Sequence, residues 1–201
     1  MNDTSLAVIV DPHDYNQDDA ILRTCHLVRA FCKENAIDMP GIEADNCRGY
    51  HGIYLSGSRV IKYDPRKCRV PVKTPGYSWS FTGYKADLTA PGVIAHELGH
   101  HVHFETPNAR EVIRDWRWVT EGEPVTTSYG RTKTSEDIAE SFKLFLLNPD
   151  LLEQGRPMRF NFFTDTLNLK PMITETWDDV LVYAHERLIE ATLNWIAEGH
   201  Q

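Results

Sequence analysis

Hydrophobic positions along this chain recur mostly at helical spacing. In residues 18–35, Ile21, Cys25, Val28 and Cys32 repeat at intervals of four and three, and Leu22 and Leu27 widen the stripe. That pattern predicts an amphipathic helix. Val93, Ile94, Ala95, Leu98 and Val102 predict a second helix that can be buried on several sides. Thr89 is placed to cap it, Pro91 falls in its first turn, and Pro107 stops it. Asn108 is the expected cap of a third helix reaching Val119. Ile138, Phe142, Phe145 and Leu146 mark a fourth over residues 135–147, ended by Asn148-Pro149. A helical turn around Leu151 and Leu152 follows, then a stretch over 160–167 and a last amphipathic helix over 177–197.

Strand signals are fewer. Residues 6–10 form a short apolar run closed by Asp11-Pro12, and Pro40-Gly41 breaks the chain. Two short runs, 52–55 and 59–63, flank Ser56-Gly57-Ser58 and read as a hairpin. Residues 65–83 carry three prolines and residues 122–133 are rich in Thr and Gly, so both are expected as loop or irregular strand. With no repeat or linker, the simplest expectation is one α+β domain over residues 1–201. It is mainly helical, with a small antiparallel sheet or hairpin ahead of the helix that starts near Thr89.

Composition narrows the class. The chain has 201 residues, 41% hydrophobic and 25% charged, with a net charge of −8. These values describe an ordinary soluble globular protein and disfavour nucleic acid or an anionic membrane as a whole-chain partner. The four cysteines, Cys25, Cys32, Cys47 and Cys68, include no C-x-x-C pair, which argues against a cysteine zinc cluster and for free thiols in a reducing compartment. Cys25 and Cys32 are expected to fill the core. No signal peptide or spanning segment is visible, so the expected setting is cytoplasmic; a phage-encoded protein, or one delivered without a cleaved signal, fits as well.

The chemistry begins at His96-Glu97-Leu98-Gly99-His100, which reads H-E-x-x-H. On a helix His96 and His100 share a face and can reach one zinc ion. Glu97 projects about 100° round from His96, where it can act as general base towards a water on the metal. Gly99 costs about 1 kcal/mol relative to alanine in a helix interior and is best tolerated where a neighbour approaches closely. His101 and His103 are read as partly exposed helix-end residues turned away from the ligand face. A catalytic zinc takes three protein ligands and leaves a position for water. The H-E-x-x-H-x-x-G-x-x-H completion is excluded, because His103 stands at its glycine and Thr106 at its third histidine. The remaining common completion is a glutamate from a second helix with an acid four residues on, and Glu136 and Glu140 supply that spacing. One of the two would bind zinc and the other would accept a hydrogen bond from a zinc-bound imidazole. Asp137 lies off their shared face and is given a capping role.

Residues 128–144, SYGRTKTSEDIAESFKL, resemble the zinc-site segment of the gluzincin metallopeptidases of the anthrax lethal factor family. The likeness rests on Tyr129-Gly130-Arg131-Thr132 and on Ala139-Glu140 with Phe142. His96, Glu97 and His100 match that family's H-E-F-G-H, with Leu98 in place of phenylalanine. It covers about residues 90–150. The resemblance implies a zincin-like core and one catalytic Zn2+. It also implies Glu136, seven residues after the tyrosine, as third ligand, Glu140 as partner of a liganding histidine, and Tyr129 as oxyanion stabiliser. Residues 155–171 further resemble the tail of small metallopeptidases.

The functional expectation is a zinc-dependent endopeptidase acting on a peptide or protein substrate, with no nucleic acid or membrane partner. The alternative is a non-catalytic or single-partner zinc-binding interaction protein that keeps the same fold. The hairpin over 52–63 is expected to offer an edge to an extended peptide, and Trp79, Phe81 and Tyr84 to line a subsite.

Overall fold

The expected stripes become the core of a computed structural model that describes residues 17–69, 85–106 and 108–172. Helix α1 (Gln17–Glu34) turns Val28, Phe31 and Cys32 inward. Leu22 does not widen this stripe: it faces solvent, because it stands about 100° round the helix from Ile21. Cys32 is buried and Cys25 half-buried, and all four cysteines are free thiols.

Strands β1 (Gly41–Ala44), β2 (Gly52–Leu55) and β3 (Val60–Tyr63) form one sheet in the order β1-β3-β2. The hairpin is present, with Leu55 opposite Val60 in antiparallel register. The sheet is nevertheless mixed, not antiparallel, because β1 pairs parallel to β3 with Gly41 opposite Val60. The mostly exposed sequence GIEA of β1 has too little alternation to announce a strand; backbone bonding to β3 creates it.

Helix α2 (Ala90–Glu105) runs through the centre of the described residues, with 13 of its 16 residues buried. Thr89 caps it as expected, its Oγ1 accepting the Gly92 N–H at 3.2 Å. Helix α3 (Ala109–Val119) follows, burying Val112 and Trp116. Asn108 holds the cap position without a side-chain cap bond, and its φ of 65° lies in the left-handed region. Helix α4 (Thr134–Leu147) packs along α2 and buries Ile138, Phe142, Phe145 and Leu146. The short helices α5 (Pro149–Gly155) and α6 (Pro157–Asn161) lead into a π-helical turn, Phe162–Thr166. Phe163 there meets Phe142 and Phe145 with ring centroids 5.6 and 5.0 Å apart. No helix among the described residues is long and apolar enough to cross a membrane. The expected strand over 6–10, the aromatics Trp79, Phe81 and Tyr84, Pro107, and the last helix over 177–197 lie outside the described residues.

Gly99 sets how closely α2 and α4 approach. A Cβ there would stand 2.8 Å from the Ala139 Cα and 3.0 Å from the Phe142 Cβ. Gly99→Ala gains about 1 kcal/mol of helix propensity but must push two backbones apart, at a cost of about 1–3 kcal/mol. The expected net result is a lower unfolding midpoint in thermal denaturation. A raised midpoint would show that the helices can separate freely.

Candidate metal centre

That close approach brings side chains of the two helices to one point. His96 and His100 come from α2, one turn apart, their rings 4.8 Å between centroids and nearly perpendicular. Glu136 reaches them from the first turn of α4. Its Oε2 lies 3.2 Å from His96 Nε2 and 3.4 Å from His100 Nε2. One donor atom from each of the three residues lies within 4.8 Å of the other two, so the group can hold a metal ion. Glu136 Oε2 is buried and makes no aligned hydrogen bond, although both imidazoles stand within ion-pairing distance. Electron-pair donors converging on one another in a dry site are stabilised by a proton or a metal cation between them. Two imidazole nitrogens and a carboxylate oxygen are a donor set suited to zinc.

Electrostatics agree. Burial pushes the Glu136 carboxyl up, but His100 and His96 outweigh it and hold the group well below the usual carboxylate range. For His96, burial lowers the pKa, while the neighbouring carboxylates of Glu136 and Glu140 raise it more strongly, to about 9. A metal entering the site therefore takes the place of a proton.

Glu140, one turn further along α4, sits behind the His96 ring. The His96 Nδ1–H donates to its Oε1 at 2.7 Å. This bond orients the ring and leaves Nε2, where a metal would replace the proton, facing Glu136 and His100. The geometry thus separates two glutamates that spacing alone left interchangeable. Glu97, beside His96, is buried, and burial raises its pKa while the charges of His96 and His100 partly offset that. The Tyr54 backbone N–H of β2 also acts on the carboxylate, lowering its pKa slightly. Gly52 makes this contact possible, since a Cβ there would fall 2.6 Å from Val93 Cγ1 and 2.9 Å from Glu97 Oε1.

Tyr129 comes from the loop before α4. Its ring centroid is 5.8 Å from that of His96, and the Glu136 carboxylate lies close enough to act on its hydroxyl. Burial and the Glu136 charge push its pKa up to about 12, so the hydroxyl keeps its proton at neutral pH. The loop is braced locally: the Gly130 N–H donates to Thr127 Oγ1, and Thr132 Oγ1 donates to the Tyr129 carbonyl.

Three expectations need correction. His101 and His103 are not partly exposed; both are fully buried. His101 Nε2–H donates to the Asp38 carbonyl at 2.8 Å, and its Nδ1 lies 2.9 Å from the Tyr54 hydroxyl. His103 is seven residues after His96, only about 20° off its direction, so it lies on the ligand stripe and not away from it. Burial, then the charge of His100, lowers its pKa to about 4, keeping it neutral. Neither histidine joins the convergent group. Asp137, finally, caps nothing. It is buried, accepts the Trp116 indole N–H at 2.8 Å, and pairs with Arg159 at 2.8 Å. Arg159 also pairs with Glu123 at 2.9 Å, clasping the loop that carries Tyr129 to the start of α4.

Lys143, Tyr54 and Arg159 escaped the reading of the sequence. Lys143 left one trace, a lone charge inside the apolar run from Phe142 to Leu147. No family model, curated protein or solved structure matches the chain.

Proposed function

We propose that this chain is a zinc-dependent endopeptidase of gluzincin type, built on a zincin-like core, with His96, His100 and Glu136 as the metal ligands. The observation that carries the reading is the convergence of these three side chains with Glu97 on the same helix and Tyr129 opposite. The resemblance of residues 128–144 to the lethal factor family supports it.

Zinc, when bound, supplies Lewis acidity and lowers the pKa of a coordinated water towards neutrality. Glu97 accepts the proton of the attacking water and passes it to the leaving amine. Its raised pKa brings it closer to working pH, as a base that must later act as an acid requires. Tyr129 donates its hydroxyl hydrogen bond to the carbonyl oxygen as charge develops there. Glu140 holds the His96 ring. Strand β2 is an edge of the sheet and directs the Tyr54 N–H towards Glu97. A peptide lying along that edge would place its backbone beside the metal and the base.

The test is cleavage of a mixed peptide library by zinc-loaded protein. Cleavage is expected, abolished by a chelator and restored by added zinc. Stoichiometric zinc with no cleavage of any peptide or protein would favour the non-catalytic alternative. A protein that takes up no metal would defeat both readings.

A further inference from the structure

Lys143 stands where α4 is otherwise apolar, between Phe142 and Leu144, and is 2% exposed. A buried ammonium is strongly unfavourable unless it is well partnered, so an apolar residue is the default for such a position. Its partner is the carboxylate that supports the metal centre. Lys143 Nζ donates to Glu140 Oε2 at 2.8 Å, while Glu140 Oε1 accepts from His96 Nδ1 at 2.7 Å. The two oxygens of one carboxylate are thus held by different partners, which sets its plane as well as its position. Without the lysine, Glu140 would be a buried charge tethered at one oxygen and free to turn. Asp87, buried ahead of α2 with its Oδ1 on the Thr89 N–H, also feels the Lys143 charge.

From this geometry we infer that Lys143 is a positioning residue of the metal centre: through Glu140 it holds the His96 ring with Nε2 turned towards the metal. The inference rests on the reading that His96, His100 and Glu136 bind zinc. The three residues form one line, Lys143–Glu140–His96, in which only the last touches the metal. The prediction is therefore specific. Lys143 matters for metal binding only while Glu140 is a carboxylate.

A double-mutant cycle tests it. Zinc affinity is measured by competition with a chromogenic chelator for wild type, Lys143→Met, Glu140→Gln and the double variant. Circular dichroism checks the fold, and Co2+ absorption reports ligand geometry. Lys143→Met is expected to weaken zinc binding about tenfold, the low end for outer partners of metal ligands, and to shift the Co2+ bands. In the Glu140→Gln background the same substitution should change affinity by less than about twofold. A purely structural lysine would weaken binding equally in both backgrounds, and that result overturns the inference, as does a Lys143→Met protein with wild-type affinity and spectrum. Lys143→Leu, also apolar and without a donor, gives the same comparison if Lys143→Met does not fold. Wild type that binds no zinc would instead refute the metal centre itself.

Discussion

Glu97→Gln is expected to keep its zinc and lose its peptidase activity, with kcat falling by about 10²–10⁴. The substitution changes one atom of the side chain and leaves its volume almost unaltered. The amide oxygen can still face the Tyr54 N–H that acts on the carboxylate. What is lost is the ability to take a proton. Because Glu97 is buried, with its charge opposed by burial, a neutral replacement should not lower stability. The measurement pairs turnover of a cleaved library peptide with metal content by mass spectrometry. Wild-type turnover in this variant would remove Glu97 from the role of base. Loss of zinc together with activity would place it among the ligands instead.

Glu136→Ala has the second large effect, on the metal itself. It removes the only carboxylate in the convergent group and leaves two imidazoles one helical turn apart. The loss of zinc affinity should exceed the 10–100-fold typical of outer partners, because a direct ligand is gone. It should also cancel zinc's effect on unfolding. A ligand at a thousand times its Kd stabilises a protein by about 4 kcal/mol, so wild type should melt higher with zinc and Glu136→Ala should not. Tyr129 and His96 both lose in the same substitution a carboxylate that raises their pKa. The check is thermal denaturation of both proteins with and without zinc. Equal zinc-induced shifts would show that Glu136 does not bind the metal.

Much of the candidate site was legible because helices obey a local rule. Residues four apart share a face whatever surrounds them. Spacing therefore proposed His96 with His100, and Glu136 with Glu140, before any fold was known. Thr89 as cap and the inward side of α4 followed from equally local rules. Other features depended on partners distant in sequence. Strand β1 carries almost no hydrophobic alternation and exists through its parallel neighbour β3. His101 was misjudged because its partners, Asp38 and Tyr54, lie 63 and 47 residues away. Asp137 looked like a capping acid because its partners Arg159 and Trp116 were invisible at short range. His103 was a different error, since its place on the ligand stripe follows from helix geometry alone.

By itself the sequence determined which residues could act together on each helix, because a 3.6-residue repeat is enforced by the backbone's own hydrogen bonds. Only the tertiary structure decided what those faces meet. The bare backbone at Gly99 lets Ala139 approach, and that contact sets the crossing of α2 and α4. The crossing puts Glu136 opposite the two imidazole Nε2 atoms and Glu140 behind one ring. It also buries the Lys143–Glu140 pair, whose three-residue spacing on α4 is itself local. These outcomes come from long-range packing, which no local periodicity encodes.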